Sequence, residues 1–252
     1  MSNWPSRDAA IFPVNHVQVA VVHVGPAAVD LQPRPAVEHA LASAADFGDL
    51  TGPADVTQPL RVKVPSVVGR TVPVSELISP DPRVHCSFLV AMAEFQTEGQ
   101  GGPDDDSNTG QAIRKYVRRW ADPAEFARYL RELEDEARDE SPRPDGRVPQ
   151  TTLWWVSGNE YFGRISIRHR LTASLREIGG HIGYDIRPSA RQRGHATAML
   201  AAALPVARSL GIDQALLTCD QDNLASRKVI EANGGVLEDQ RAGKFRFWVP
   251  TS

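Results

Sequence analysis

Apolar positions recur at helical spacing after Pro82. Val84, Phe88, Leu89, Met92 and Phe95 follow one another every three or four residues, and Gly99-Gln100-Gly101-Gly102-Pro103 stops the run. The spacing predicts a helix. A second apolar stripe, Phe126, Tyr129, Leu130, Leu133 and Ala137, begins after Asp122-Pro123, a capping residue followed by a proline suited to a first helical turn. Between the two, Asp104-Asp105-Asp106 lacks the glycine and closing glutamate of a calcium loop at the required offsets, and it reads as a solvated loop. Past a Pro/Gly loop at 141–146 the period changes to two. Residues 151–156 and 160–170 flank Ser157-Gly158-Asn159 and predict a hairpin with a three-residue turn, with Trp154 and Trp155 on opposite faces. Residues 171–178 read as an irregular connection. Residues 181–186 form the next strand, with His181, Gly183 and Asp185 on one side of it. A helix after Gly194 turns Met199, Leu200, Ala203 and Leu204 inward, with Pro205 predicted to kink it and Gly211 to end it. Residues 214–219 then read as a buried strand, 223–233 as a helix capped by Asn223, and 236–241 with 244–249 as a closing hairpin.

No period persists over the first seventy residues, where prolines 5, 13, 26, 33, 35, 53, 59 and 65 interrupt every longer element. A strand at 17–24 and a short helix at 36–45 are the elements this region offers. The expected division is an N-terminal extension, 1–71, weakly structured or translated from upstream of a true start near Val72, and one folded domain, 72–252. The 252 residues carry a formal net charge of −3, which supplies no global attraction to nucleic acid or to an anionic membrane, so an anion site here has to be local. Cys86 and Cys219 follow no metal or disulfide spacing, which suits a reducing compartment. The apolar runs at 17–24 and 199–206 are too short to span a bilayer. The expectation is a cytoplasmic protein with no metal and no nucleic-acid or membrane partner.

The candidate chemistry lies in Ile186-Arg187-Pro188-Ser189-Ala190-Arg191-Gln192-Arg193-Gly194-His195-Ala196-Thr197, where an apolar strand passes through a basic turn into a helix. The opening helix presents free N–H groups and a positive dipole end, and Gly194 lacks the Cβ that would hold a phosphate off the backbone. Arg191 and Arg193 add forked donors suited to phosphate oxygens. Downstream, residues 216–235 read as a strand, a helix opening Asn223-Leu224-Ala225-Ser226, and a Gly234-Gly235 stop.

The paired phosphate loop and NxxS helix resemble the acyl-coenzyme A binding core of the GNAT N-acetyltransferase superfamily. The likeness extends over roughly residues 72–249 and is strongest over 179–235. It implies a mixed α+β fold: a central, mostly antiparallel sheet flanked by helices and splayed between its fourth and fifth strands. It also implies transfer of an acetyl group from acetyl-CoA to a primary amine, by direct transfer in a ternary complex. The acceptor is a small-molecule or peptide amine, and the family habit of pairing adds a homodimer. In this resemblance main-chain groups of Tyr184, Asp185 and Ile186 hold the pantetheine arm, and one of their N–H groups faces the thioester oxygen. The pyrophosphate lies over Arg191, Gln192, Arg193, Gly194, His195, Ala196 and Thr197. Asn223 contacts the pantetheine or a water besides capping its helix, and Ser226 sits near the sulfur. Many relatives carry a tyrosine four residues beyond that serine to protonate the departing thiolate, whereas this chain has Ile230. That acid role then passes to Ser226, to water or to nothing.

His181 is the first candidate for the base, on the strand that carries the thioester, with a histidine hydrogen-bonded at a strand end as the plain alternative. His169, Glu177, Asp185 and Asp220 are weaker candidates, His195 is expected to face solvent or phosphate, and Cys219 reads as a buried structural thiol. Trp154, Trp155, Tyr161, Phe245, Phe247 and Trp248 are candidates for lining an acceptor pocket or for packing the core. The rival function is a catalytically inactive acyl-CoA binding or sensor module. A dinucleotide fold is disfavoured because Gly194 stands where three glycines are needed.

Overall fold

The computed structural model describes residues 74–252. The expected extension, 1–71, with its strand at 17–24 and helix at 36–45, lies outside the described residues. Seven strands and six α-helices follow one another: β1 (Glu76–Ile78), α1 (His85–Thr97), α2 (Asn108–Tyr116), α3 (Pro123–Asp135), β2 (Gln150–Ser157), β3 (Glu160–Arg168), α4 (Ala173–Glu177), β4 (Ile182–Ile186), α5 (His195–Ser209), β5 (Gln214–Asp220), α6 (Leu224–Ala232), β6 (Val236–Arg241) and β7 (Lys244–Pro250). The strands form two antiparallel sheets, ordered β1-β2-β3-β4 and β5-β7-β6. β4 and β5 meet at one end only. There the His181 amide donates to the Leu216 carbonyl at 2.7 Å, and beyond that point the two strands share no ladder. Gly180 makes this junction possible: a Cβ on it would sit 2.2 Å from the Leu216 carbonyl oxygen, and its φ is +62°. The sheet is therefore splayed between its fourth and fifth strands, as expected.

Alternation along the strands builds two cores. Trp155, Phe162, Ile165, Ile167, Ile182, Tyr184 and Ile186 face α5 and α6, meeting Met199, Leu200, Ala203 and Ile230. Trp154, Val156 and Tyr161 face the other way, toward Phe88, Met92 and Phe95 of α1, Ile113 of α2 and Phe126 and Tyr129 of α3. The two tryptophans thus do occupy opposite faces. Asp122 caps α3 by accepting from the amides of Ala124 and Glu125 at 2.7 and 3.1 Å. α5 continues through Pro205 and ends before Gly211, whose φ is +82°.

Four elements depart from the sequence expectations, the three-residue β1 being one that went unpredicted. Residues 104–107 are a turn that launches α2, with Ser107 accepting from the Gly110 amide at 2.9 Å, and this helix went unpredicted because its sequence is polar and holds a glycine. The connection at 171–178 contains the short helix α4, capped by Thr172 and anchored by buried Leu175. The hairpin turn is two residues, Gly158 and Asn159, because Ser157 pairs with Glu160 inside the ladder. Among the described residues no helix is long and apolar enough to cross a membrane, and no group of three or more His, Cys, Asp or Glu side chains could hold a metal.

Candidate functional site

Where β4 leaves β5, its outer edge has no strand partner, and strand parity decides which groups are free. Arg187 donates its amide to Phe162 on β3, and the His181 carbonyl accepts from Arg168 on β3, so Gly183 and Asp185, in step with them, also turn their main-chain groups toward β3. Ile182, Tyr184 and Ile186 turn theirs toward the gap. Two of the three expected pantetheine residues, Tyr184 and Ile186, are thus placed for that role. Asp185 is not: its main chain serves the β3 ladder, and its buried carboxylate takes the Thr109 hydroxyl of α2 at 2.7 Å on the opposite face.

Below this edge lies a cleft of about 270 Å³, lined by Tyr184, Ile186, Ala190, Arg191, Gln192, Gly194, His195, Ala196, Thr197, Ala225, Ser226 and Val229. The phosphate turn, the β4 edge and the start of α6 therefore share one concavity, as the sequence pattern implied. Gly194 is the N-cap of α5 with φ +80°, and no side chain caps the helix, which leaves its first-turn N–H groups for a ligand. A Cβ built on Gly194 meets no protein atom within 4 Å, so the space above it is open to an anion. Gln192, before it, is also left-handed, at φ +61°, a conformation uncommon for a side-chain-bearing residue and frequent at ligand sites. An uncapped helix end, a glycine cradle and an unpaired strand edge fit the pyrophosphate and amide arm of coenzyme A.

The side chains of the turn are divided differently from expectation. Arg191 lines the cleft but is held by Glu98, with nitrogens 2.9 and 2.8 Å from its two carboxylate oxygens, and donates Nε to the Ile186 carbonyl at 3.0 Å. Its guanidinium shapes the turn. Arg193 is exposed, its guanidinium in no ion pair within 4.0 Å among the described residues, and it is the arginine open to phosphate. His195 is half-buried at the cleft wall: its ring stacks on Phe162 at 4.4 Å, and Nδ1 accepts from Trp155 Nε1 at 3.1 Å. Its burial lowers its pKa, so the ring is a neutral buttress beneath the helix start.

At the other end of the cleft the Tyr184 hydroxyl lies 2.9 Å from Ser226 Oγ, and both residues are almost fully buried. Asn223 caps α6 through its Oδ1, accepting from the Ser226 amide at 3.0 Å, and does not itself line the cleft. Burial raises the Tyr184 pKa against the opposing bond to Ser226, so the phenol keeps its proton at neutral pH. This hydroxyl was not singled out from the sequence, although the alternation that put Asp185 on one face put Tyr184 on the other, toward α6. Ile230 is buried in the core and packs against Gly235, where a Cβ would be 2.5 Å from its methyl.

His181 lies outside the cleft, at the β4–β5 junction. Its Nδ1 accepts from the Leu216 amide at 2.9 Å while its own amide donates to the Leu216 carbonyl, so the residue clasps the two sheets together. Burial pushes its pKa down to about 4. Cys219 is buried, with burial pushing its thiol up to about 11, so it stays a thiol at neutral pH. Of the weaker base candidates, His169 bonds to Thr151 at 2.9 Å, Glu177 pairs with Arg241 at 3.3 Å and Asp220 pairs with Lys244.

A family model described as an acetyltransferase (GNAT) domain matches residues 107–236. Solved structures of similar fold include Mycobacterium smegmatis RimJ in complex with CoA-disulfide, at 19% identity over 69% of this chain and 80% of that one, TM-score 0.47. An acetyltransferase of the GNAT family from Streptococcus pneumoniae aligns at 17% identity over 70% and 99%, TM-score 0.47. The PaiA N-acetyltransferase from Thermoplasma acidophilum, in complex with coenzyme A, aligns at 12% identity over 70% and 99%, TM-score 0.42. No curated protein sequence matches the chain. The family match spans more than half of the chain and encloses the whole phosphate loop and the NxxS helix: the chain belongs to the GNAT acetyltransferase family.

Proposed function

We propose that this chain is an N-acetyltransferase that moves an acetyl group from acetyl-CoA to a primary amine, by direct transfer with both bound at once. The observation that carries the reading is the single cleft that joins the unpaired β4 edge, the uncapped start of α5 and the buried Tyr184–Ser226 pair. Coenzyme A supplies an activated thioester. The N–H groups of Tyr184 and Ile186 hold the amide arm as a neighbouring strand would, and one of them faces the carbonyl oxygen as negative charge builds on it. The first turn of α5, with Arg193, takes the pyrophosphate. Main-chain donors thus provide most of the grip.

A departing thiolate takes up a proton, and Tyr184 is placed to give it. Its hydroxyl is the protonated phenol of the cleft, Ser226 at 2.9 Å orients it, and the proton that the amine nitrogen loses on acylation returns through solvent to the phenolate left when Tyr184 protonates the thiolate. This restores, from β4, the function that Ile230 removes from α6. His181 is assigned to holding the sheets together: with Nδ1 occupied by the Leu216 amide, a neutral ring carries its proton on Nε2 and has no lone pair left for an amine.

Release of free thiol from acetyl-CoA, read against a panel of amines, tests the reaction. Tyr184→Phe should lower kcat by roughly tenfold to a hundredfold while leaving coenzyme A affinity within a few fold. The loss should shrink with a donor whose thiol is more acidic, because a better leaving group needs less help. Tight coenzyme A binding with no thiol release for any amine class would instead establish the sensor reading.

A further inference from the structure

A second, larger cavity lies on the face of the β1–β4 sheet opposite the coenzyme cleft. It encloses about 550 Å³ between α2, α3, the loop at 141–148 and a floor made by β2 and β3, enough for a small molecule. Its charged lining includes Lys115, Glu132, Glu136, Arg143, Arg147 and Arg164. The carboxylates of the lining also include Asp135, which pairs with Arg138 at 3.1 Å. Glu132 receives Lys115 at 3.0 Å and the Tyr116 hydroxyl, while Glu136 meets a neutral amide, that of Gln150, at 2.8 Å. The arginines are not matched in the same way. Arg143 donates to the Asp139 and Arg138 carbonyls, Arg147 to the Gln111 amide oxygen, and Arg164 to the hydroxyls of Thr152 and Ser166 at 3.4 and 3.2 Å. Among the described residues none of these three has a carboxylate within ion-pair distance, 4.0 Å. Arg164 is only 5% exposed, and its Nε has no hydrogen-bond partner.

Glu136 and Asp185 favour the Arg164 charge from beyond ion-pair distance, but they leave its Nε without a hydrogen-bond partner; a bound carboxylate or phosphate, which matches the guanidinium fork, would supply one. Arg164 is also the direct cross-strand partner of Asp185 on β4, the strand whose far edge faces the coenzyme cleft. The main chain of Arg164 is one strand spacing, about 5 Å, from β4. We infer that this cavity holds the acidic end of the acceptor, so that the preferred substrates are amines that also carry a carboxylate or a phosphate. The inference rests on the acetyl-transfer reading for the word acceptor; the anion site itself does not.

Two measurements on the full chain separate these. With coenzyme A saturating the phosphate loop, calorimetry with inorganic phosphate and with acetate reads the cavity without turnover. One of the two should bind, and the paired variant Arg143→Gln/Arg147→Gln, at the exposed mouth where folding is not at stake, should weaken it at least tenfold. Thiol-release assays then compare an L-amino acid with its carboxamide, and phosphoethanolamine with ethanolamine. The acidic member of one pair should show at least tenfold higher kcat/KM, and the paired variant should erase that preference by raising KM. Which pair responds distinguishes a carboxylate from a phosphate. Absence of binding by both anions overturns the site, as does binding that the paired variant leaves intact. Binding that responds to the variant, with acidic and neutral amines turned over equally, overturns the acceptor assignment alone. Binding with no turnover of any amine upholds the anion site and refutes the acetyl-transfer reading instead.

Discussion

At Gly194 two demands coincide on one residue. Its φ of +80° favours glycine, and the open space above its Cα is where a phosphate would rest. A side chain forced into that conformation costs about 1–2 kcal/mol, and no protein atom is crowded by it, so Gly194→Val should leave a folded protein. Its coenzyme A affinity, measured by calorimetry, should fall more than tenfold because the new methyls occupy the phosphate position. Unchanged affinity would mean that the anion binds elsewhere. This residue was legible in the sequence because a glycine between a strand and a helix has few other uses. The ion pair of Arg191 was not, since its partner Glu98 is the C-cap residue of α1, far away in sequence, and no local pattern marks a pairing across that distance. The ring contacts of His195 were not legible for the same reason: Trp155 and Phe162 hold its ring from another strand pair, while the residue still lines the cleft.

Among the elements, α1 and the phosphate turn are joined by the Glu94 carboxylate as well as by Glu98 at the end of the helix. Glu94 of α1 accepts from Arg187 Nε at 3.1 Å, from the Ser189 amide at 3.0 Å and from the Ser189 hydroxyl at 2.9 Å, while Arg187 also donates to the Tyr161 carbonyl at 3.2 Å. Burial raises the Glu94 pKa, but the bonds from Arg187 and Ser189 outweigh it and the net shift is downward, so the group is ionised at neutral pH. Glu94→Gln replaces one acceptor by an NH2 that faces a guanidinium, and the loss should be about 2 kcal/mol in denaturant unfolding. Coenzyme A affinity should fall with it, since Arg187 to Ser189 lead directly into Gly194. A variant less stable yet unaltered in affinity would show that the turn holds its shape without the Glu94 carboxylate. Long amphipathic elements such as α1, α3 and α5 were legible from their stripes. β1, with three residues, and α4, with five, are shorter than the periods that would reveal them.

The whole molecule depends on two sheets that touch at one end and part at the other, and no hydrophobic pattern records that parting. Only the family resemblance implies it, and in the structure its clasp is His181. The ring's pKa is lowered by burial from 6.5 to about 4, with Arg176 and Arg168 adding a smaller push in the same direction. A depressed folded value means that folding favours the neutral ring. The stability this contributes is complete above pH 6.5, declines as pH falls toward 4 and is gone below it. A protonated ring also loses the lone pair that accepts from Leu216, so charging breaks the clasp as well as burying a cation. The denaturant midpoint should therefore drop between pH 7.5 and pH 5. His181→Asn offers an amide oxygen to the Leu216 N–H and cannot gain a proton in that interval; it should be less stable at pH 7.5 yet lose less on going to pH 5. If parent and variant fall by the same amount, the acid sensitivity belongs to other groups and the junction does not rest on this ring. If the gap that opens from this junction takes the coenzyme arm as proposed, the parent's coenzyme A affinity should weaken over that pH interval more than the variant's does.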